Sequence, residues 1–107
     1  MTYQESFVAL ADPTRRTLYE ALVKAPHPVG ALVKGSGVSR PAVSQHLKVL
    51  REAGLVRVEP KGNSNIYTAA PHGLDSLRDY LDSLWGDVLS AFANEIEKGE
   101  AHDKSGH

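Results

Sequence analysis

The stretch SRPAVSQHLKVLREAGLV, residues 39–56, limits the possible folds more than any other part of the chain. Ser39 can cap a helix, Pro41 fits its first turn, and Gly54 stands where a left-handed C-terminal cap is usually glycine. At 100° per residue Val43, Leu47 and Leu50 form one narrow apolar stripe, with Ala42, His46 and Ala53 along a flank. Ser44, Gln45, Lys48 and Arg51 point the other way. A helix over residues 39–53 therefore packs through a thin stripe and keeps a broad polar face.

Its neighbours set the architecture. Tyr3, Phe7, Val8 and Leu10 fall near helical spacing and predict a short first helix. Asp12 can then cap a second helix that opens with Pro13 and carries Leu18, Leu22 and Val23 inward. The segment APHP stops that helix. Short helical turns are expected over residues 29–34, followed by a tight turn at Gly35 to Gly37. After the central helix, LVRVEP alternates, KGNSN reads as a turn and IYTAA as a second β-prone run, which together predict a hairpin that must pack on the helices. Residues 74–96 predict the longest helix, with Leu74, Leu77, Leu81, Leu84, Val88, Phe92 and Ile96 at spacings of three and four, and Trp85 and Leu89 widening the stripe. The expected organisation is one domain over residues 1–98 and a disordered polar tail over residues 99–107.

Charge separates the middle of the chain from its ends. The net charge of the 107 residues is -1, but residues 13–68 hold nine Lys and Arg against three acids. Residues 69–107 hold three bases against eight acids. The central segment is the one equipped to meet a polyanion. There is no cysteine, which excludes disulfides and thiolate metal sites. No apolar run approaches the ~20 residues of a membrane span, and the first ten residues lack the pattern of a signal peptide, so a cytoplasmic protein is expected.

Two helices joined by a short glycine turn and followed by a hairpin describe a helix-turn-helix with a wing, mainly α with a small β-hairpin. In such a fold the second helix enters the major groove, and its N-terminal polar residues meet base edges. Ser39, Arg40, Ser44, Gln45 and Lys48 supply the side chains that contact needs. Gln can bond adenine in two places, Arg can pair with guanine, and Ser or Lys can hold phosphate oxygens. On this reading Gln45 and Arg40 read bases, while Ser44, Lys48 and Lys61 fix the register on phosphates. In the wing, Lys61, Asn63, Ser64 and Asn65 suit the backbone or the minor groove.

ALADPTRRTLYEAL followed by VSRPAVSQHLKVLREAGLVRVEPKGNSNIYTAA resembles the ArsR/SmtB family of bacterial winged-helix repressors, over roughly residues 3–98. The resemblance implies a homodimer, built through the first and last helices, that binds an imperfect inverted repeat in double-stranded DNA. Tyr3, Phe7, Leu81, Leu84, Trp85, Val88 and Phe92 would form the interface. The surplus apolar face of residues 74–96 needs such a partner in any case.

The family's metal sites do not carry over. Its paired thiolates would fall at Pro28 and Gly30, and residues 74–98 contain no histidine for the site on the last helix. His72 precedes that helix without a matched partner ligand. No cofactor or metal is expected; His102, Asp103 and His107 in the tail are the residual candidates for a divalent ion. His46, on the flank of the buried stripe, reads as packed or backbone-bonded support, and His27 as a loop residue. Trp85 and its apolar neighbours read as core and interface, with an effector pocket between paired helices as the alternative.

Catalysis is not expected. Ser44 and His46 lie two apart on one helix and face different ways, so they cannot pair as nucleophile and base. Asp75, Asp79 and Asp82 form a solvated helix edge, and no glycine-rich phosphate loop occurs. Two other uses of the fold stay open: a protein-interaction module without DNA, and the same repressor under a His-based metal effector.

Overall fold

The structure, a computed structural model, describes residues 2–103, with side chains described over residues 2–96. Its elements are α1 (Tyr3–Ala11), α2 (Pro13–Lys24), β1 (His27–Pro28), α3 (Val29–Ser36), α4 (Arg40–Glu52), β2 (Val56–Lys61), β3 (Ser64–Ala69) and α5 (Asp75–Asp103). The chain divides into two compact units, the first ending at Leu77 and the second starting at Arg78.

In the first unit the starts of α1, α2 and α4 are set by side chains that satisfy otherwise orphaned backbone groups. Thr2 and Glu5 form a reciprocal capping box at the start of α1, with Glu5 N–H donating to Thr2 Oγ1 at 3.2 Å. Asp12 ends α1 and caps α2, accepting from the Arg15 N–H at 3.0 Å; Pro13 follows in the first turn. That N–H holds the Asp12 carboxyl below the ordinary carboxylate range, and the charges of Arg15 and His46 act in the same direction. The Arg15 guanidinium turns back over the same corner, donating to the carbonyls of Ala9 at 2.7 Å and Val8 at 3.2 Å. One of the nine central cations is thus spent on closing α1, which has no basic residue of its own in its last turn.

The core gathers around α4. Val43, Leu47 and Leu50 are fully buried, against Leu18, Tyr19 and Leu22 of α2, Leu32 of α3, and Leu55 and Val56 at the start of the sheet. α1 contributes the small, buried Ser6 and Ala9, with Leu10 packed against the core at its edge. Val23, expected inward, is 59% exposed. It lies about 100° further round the helix than Leu22, and Tyr19 takes the inner position instead.

The sheet has three strands in the order β1-β3-β2, all antiparallel, where a two-stranded hairpin was expected. The added strand is the APHP segment: His27 pairs with Tyr67 and Pro28 with Ile66. Two prolines end a helix, but an edge strand of two residues tolerates them. The strands also run into the expected five-residue turn, because Lys61 pairs with Ser64 and only Gly62 and Asn63 remain as the loop. The result is a mainly α winged helix-turn-helix.

In the second unit α5 keeps its apolar stripe on the surface. Leu81, Leu84, Trp85, Val88, Leu89, Phe92 and Ile96 are all exposed, Trp85 to 64% and Phe92 to 63%. The backbone helix continues through Gly99 to Asp103, into the segment expected to be a disordered tail. Glu97, Lys98, Glu100 and Ala101 are good helix formers, and a single glycine opposes them by only about 1 kcal/mol. The metal candidates of the tail, the side chains of His102 and Asp103 and all of His107, lie outside the described residues.

Candidate nucleic-acid interface

The turn between α3 and α4 is built from its own residues. Gly37 takes a φ of 73°, which only glycine adopts freely, and reverses the chain after α3. The Ser36 hydroxyl donates to the Val33 carbonyl at 3.0 Å and accepts the Val38 N–H at 3.2 Å. Ser39 then caps α4, accepting from the Ala42 N–H at 3.3 Å, and Gly54 closes the far end with a φ of 76°. With the stripe of Val43, Leu47 and Leu50 buried, Arg40, Ser44, Gln45, Lys48 and Arg51 are all left exposed.

The wing presents Lys61, Asn63, Ser64 and Asn65, also exposed. Positive φ at Gly62 alone, 63°, matches a type II′ hairpin turn, whose twist suits the flanking strands. β1 ties the start of α3 to this wing, since Pro28 pairs with Ile66 next to Asn65. A cleft of about 350 Å³ follows, lined by Pro28, Val29 and Gly30 on one side, Arg40 on another, and Asn63, Ser64 and Asn65 on the third. Arg40, Asn63 and Ser64 therefore converge. Lys61 lies apart from them, in a separate cleft with Arg57, Glu59 and Thr68.

These side chains are uncommitted. Arg40, Ser44, Gln45, Lys48, Lys61, Asn63 and Ser64 make no side-chain hydrogen bond or ion pair with any other described residue. Arg15 and Arg57 differ: the first serves the α1 carbonyls, and the second stands 4.0 Å from Glu59. Ser39, counted with the first group in the sequence, is occupied as the cap.

The histidines take quieter places. His46 is half-buried, and its Nδ1 is buried without a hydrogen-bond partner, so of the two expectations, packed or backbone-bonded, that atom takes the packed one. His72 pairs with Asp75, Nδ1 to Oδ2 at 3.0 Å, on the surface ahead of α5. Among the described residues no three His, Cys, Asp or Glu side chains gather in a way that could hold a metal ion. No helix among them is long and apolar enough to cross a membrane.

The comparison with known proteins agrees with this fold. A family model described as a helix-turn-helix domain matches residues 10–59. The HTH-type transcriptional regulator Rv2034 of Mycobacterium tuberculosis is 48% identical over 89 residues, which cover 83% of each protein. The nodulation protein NolR of Rhizobium meliloti is 33% identical over 83 residues, 78% of this chain and 68% of NolR. Among solved structures, an ArsR-like transcriptional regulator from Rhodococcus sp. RHA1 superposes with a TM-score of 0.71 at 28% identity, covering 86% of this chain and 90% of that one. Fold and comparisons together define a DNA-binding winged helix-turn-helix transcriptional regulator. The chain belongs to the ArsR/SmtB family of transcriptional regulators.

Proposed function

We propose that the protein is a homodimeric repressor that acts in the cytoplasm and binds an inverted-repeat operator. In this reading residues 39–53 enter the major groove and the wing at residues 61–65 meets the backbone or minor groove. The observation that carries it is the set of seven exposed, uncommitted side chains on α4 and the wing. A helix that docked on protein would present aromatic or aliphatic anchors there instead. Gln45 is the base reader, while Ser44, Lys48 and Lys61 hold phosphates and Asn63 and Ser64 support the wing contact.

The second copy meets this one through α1 and α5. Tyr3 and Phe7, in edge-to-face contact at 6.3 Å, come from α1, and Leu81, Leu84, Trp85, Val88 and Phe92 from α5. Phe7, at 43%, and the α5 stripe from Leu81 to Ile96 are exposed in the single chain, more apolar surface than scattered side chains account for. Two-fold symmetry then sets the half-sites about 34 to 36 Å apart, one helical turn. Selection from random duplex DNA at low and at physiological salt tests the reading. Enrichment of an inverted repeat with that spacing supports it, and enrichment of no repeat at either salt refutes it.

A further inference from the structure

The cleft between α4 and the wing gives Arg40 a surrounding that the sequence does not show. As the first residue of α4, Arg40 extends back toward the start of α3, and its Nη1 lies 4.0 Å from where a Cβ on Gly30 would stand. Gly30 leaves that space open. Across the cleft stand Asn63, Ser64 and Asn65, which offer amide and hydroxyl donors. No carboxylate lines it, and Arg40 forms no ion pair among the described residues. A guanidinium with uncommitted donors opposite, and no anion of the chain's own, is chemically matched to an oxyanion.

We propose that this cleft is a clamp for one DNA backbone phosphate, held by Arg40 together with Asn63, Ser64 and Asn65. Arg40 is then a positioning residue that locks wing and recognition helix onto the same strand, not a base reader. The two-residue strand β1 is the device that makes this possible, because its pairing with β3 fixes the distance between Gly30 and the wing. The inference rests on the DNA-binding reading above. It reverses the role that residue type alone gives to Arg40.

The test compares wild type, Arg40→Ala and Gly30→Asp on the selected duplex, on single-base variants of it, and on random duplex, over a range of salt. Gly30 has no positive φ, and an acidic residue in the first turn of a helix is favourable, so Gly30→Asp folds while placing a carboxylate in the cleft. Both variants are expected to keep the wild-type melting temperature and to weaken every sequence alike. Losing the Arg40 contact lowers the slope of log K against log salt by about one per engaged protomer, roughly fivefold in affinity at about 0.15 M salt.

If the wild type enriches no sequence and binds no duplex, the DNA reading itself fails. If it binds normally while Arg40→Ala relaxes preference at one base position with the slope unchanged, the clamp alone is wrong. Wild-type affinity in both variants overturns the clamp as well. Inhibition of the wild type, but not of Arg40→Ala, by millimolar inorganic phosphate at constant ionic strength supports the clamp, because free and backbone phosphate then compete for the same guanidinium.

Discussion

α4 and α5 are both amphipathic helices, yet they meet opposite fates. α4 buries Val43, Leu47 and Leu50 completely, whereas α5 leaves Leu81, Leu84, Trp85, Val88 and Phe92 exposed. The difference shows that an apolar stripe fixes the existence of a contact and not its owner. α4 finds its partners in α2, α3 and the sheet of the same chain, which frees its other face to carry polar side chains. The α5 stripe is wider and more aromatic than a chain of this size needs, and a second copy is the proposed partner.

The largest effect expected from breaking this contrast is on α4. Leu47→Ala removes a fully buried side chain and should destabilise by about 2–5 kcal/mol, read by chemical denaturation. DNA binding should fall with the folded fraction. On α5, Trp85→Asp should move the dimer to monomer at micromolar concentration, and the concentration dependence of the wild-type melting temperature should vanish with it. A wild-type melting temperature independent of concentration would count against the dimer.

Gln45→Ala tests the face that α4 frees. Stability should stay within about 0.5 kcal/mol of wild type, as for exposed substitutions generally. Discrimination at one operator position should drop by about 1–3 kcal/mol, visible in binding to single-base variants. A uniform loss over all sequences would make Gln45 a phosphate contact instead.

The smallest effect concerns the α1–α2 corner. The Asp12 pKa is lowered in the folded state, chiefly by the Arg15 N–H, so its ionised form favours folding. That contribution is fully present above the unfolded value, near 3.8, and is lost as pH falls through the lower folded value. Asp12→Asn should flatten the stability profile only in that acidic window, as followed by urea denaturation between pH 2 and 5, taken as a rough range around the ordinary carboxylate pKa. A difference of unchanged size from pH 5 to 7 through pH 2 would show that the charge has no part in it.

Where a single residue controls a backbone group, the sequence was readable. Ser39, Asp12 with Pro13, and Gly54 mark helix ends because capping chemistry is local. Features that depend on distant partners were not. β1 is two residues long, too short for an alternating pattern, and exists only because β3 lies beside it. Val23 and Tyr19 compete for one side of α2, and only the shape of the core decides between them. Arg15 counted as a central cation until its bonds to Ala9 and Val8 placed it at a helix end. Of the candidate interface, the exposed polar face of α4 was legible from its periodicity, while the convergence of Arg40 with Asn63 and Ser64 required β1.

The contrast between the two helices rests most directly on how many copies associate. Sedimentation equilibrium of the wild type, free and on the selected duplex, measures this. The account predicts twice the 11.6 kDa chain mass in free solution and two chains per duplex, with Trp85→Asp reduced to one chain mass. A wild type at one chain mass throughout, binding DNA as a single copy, would contradict it.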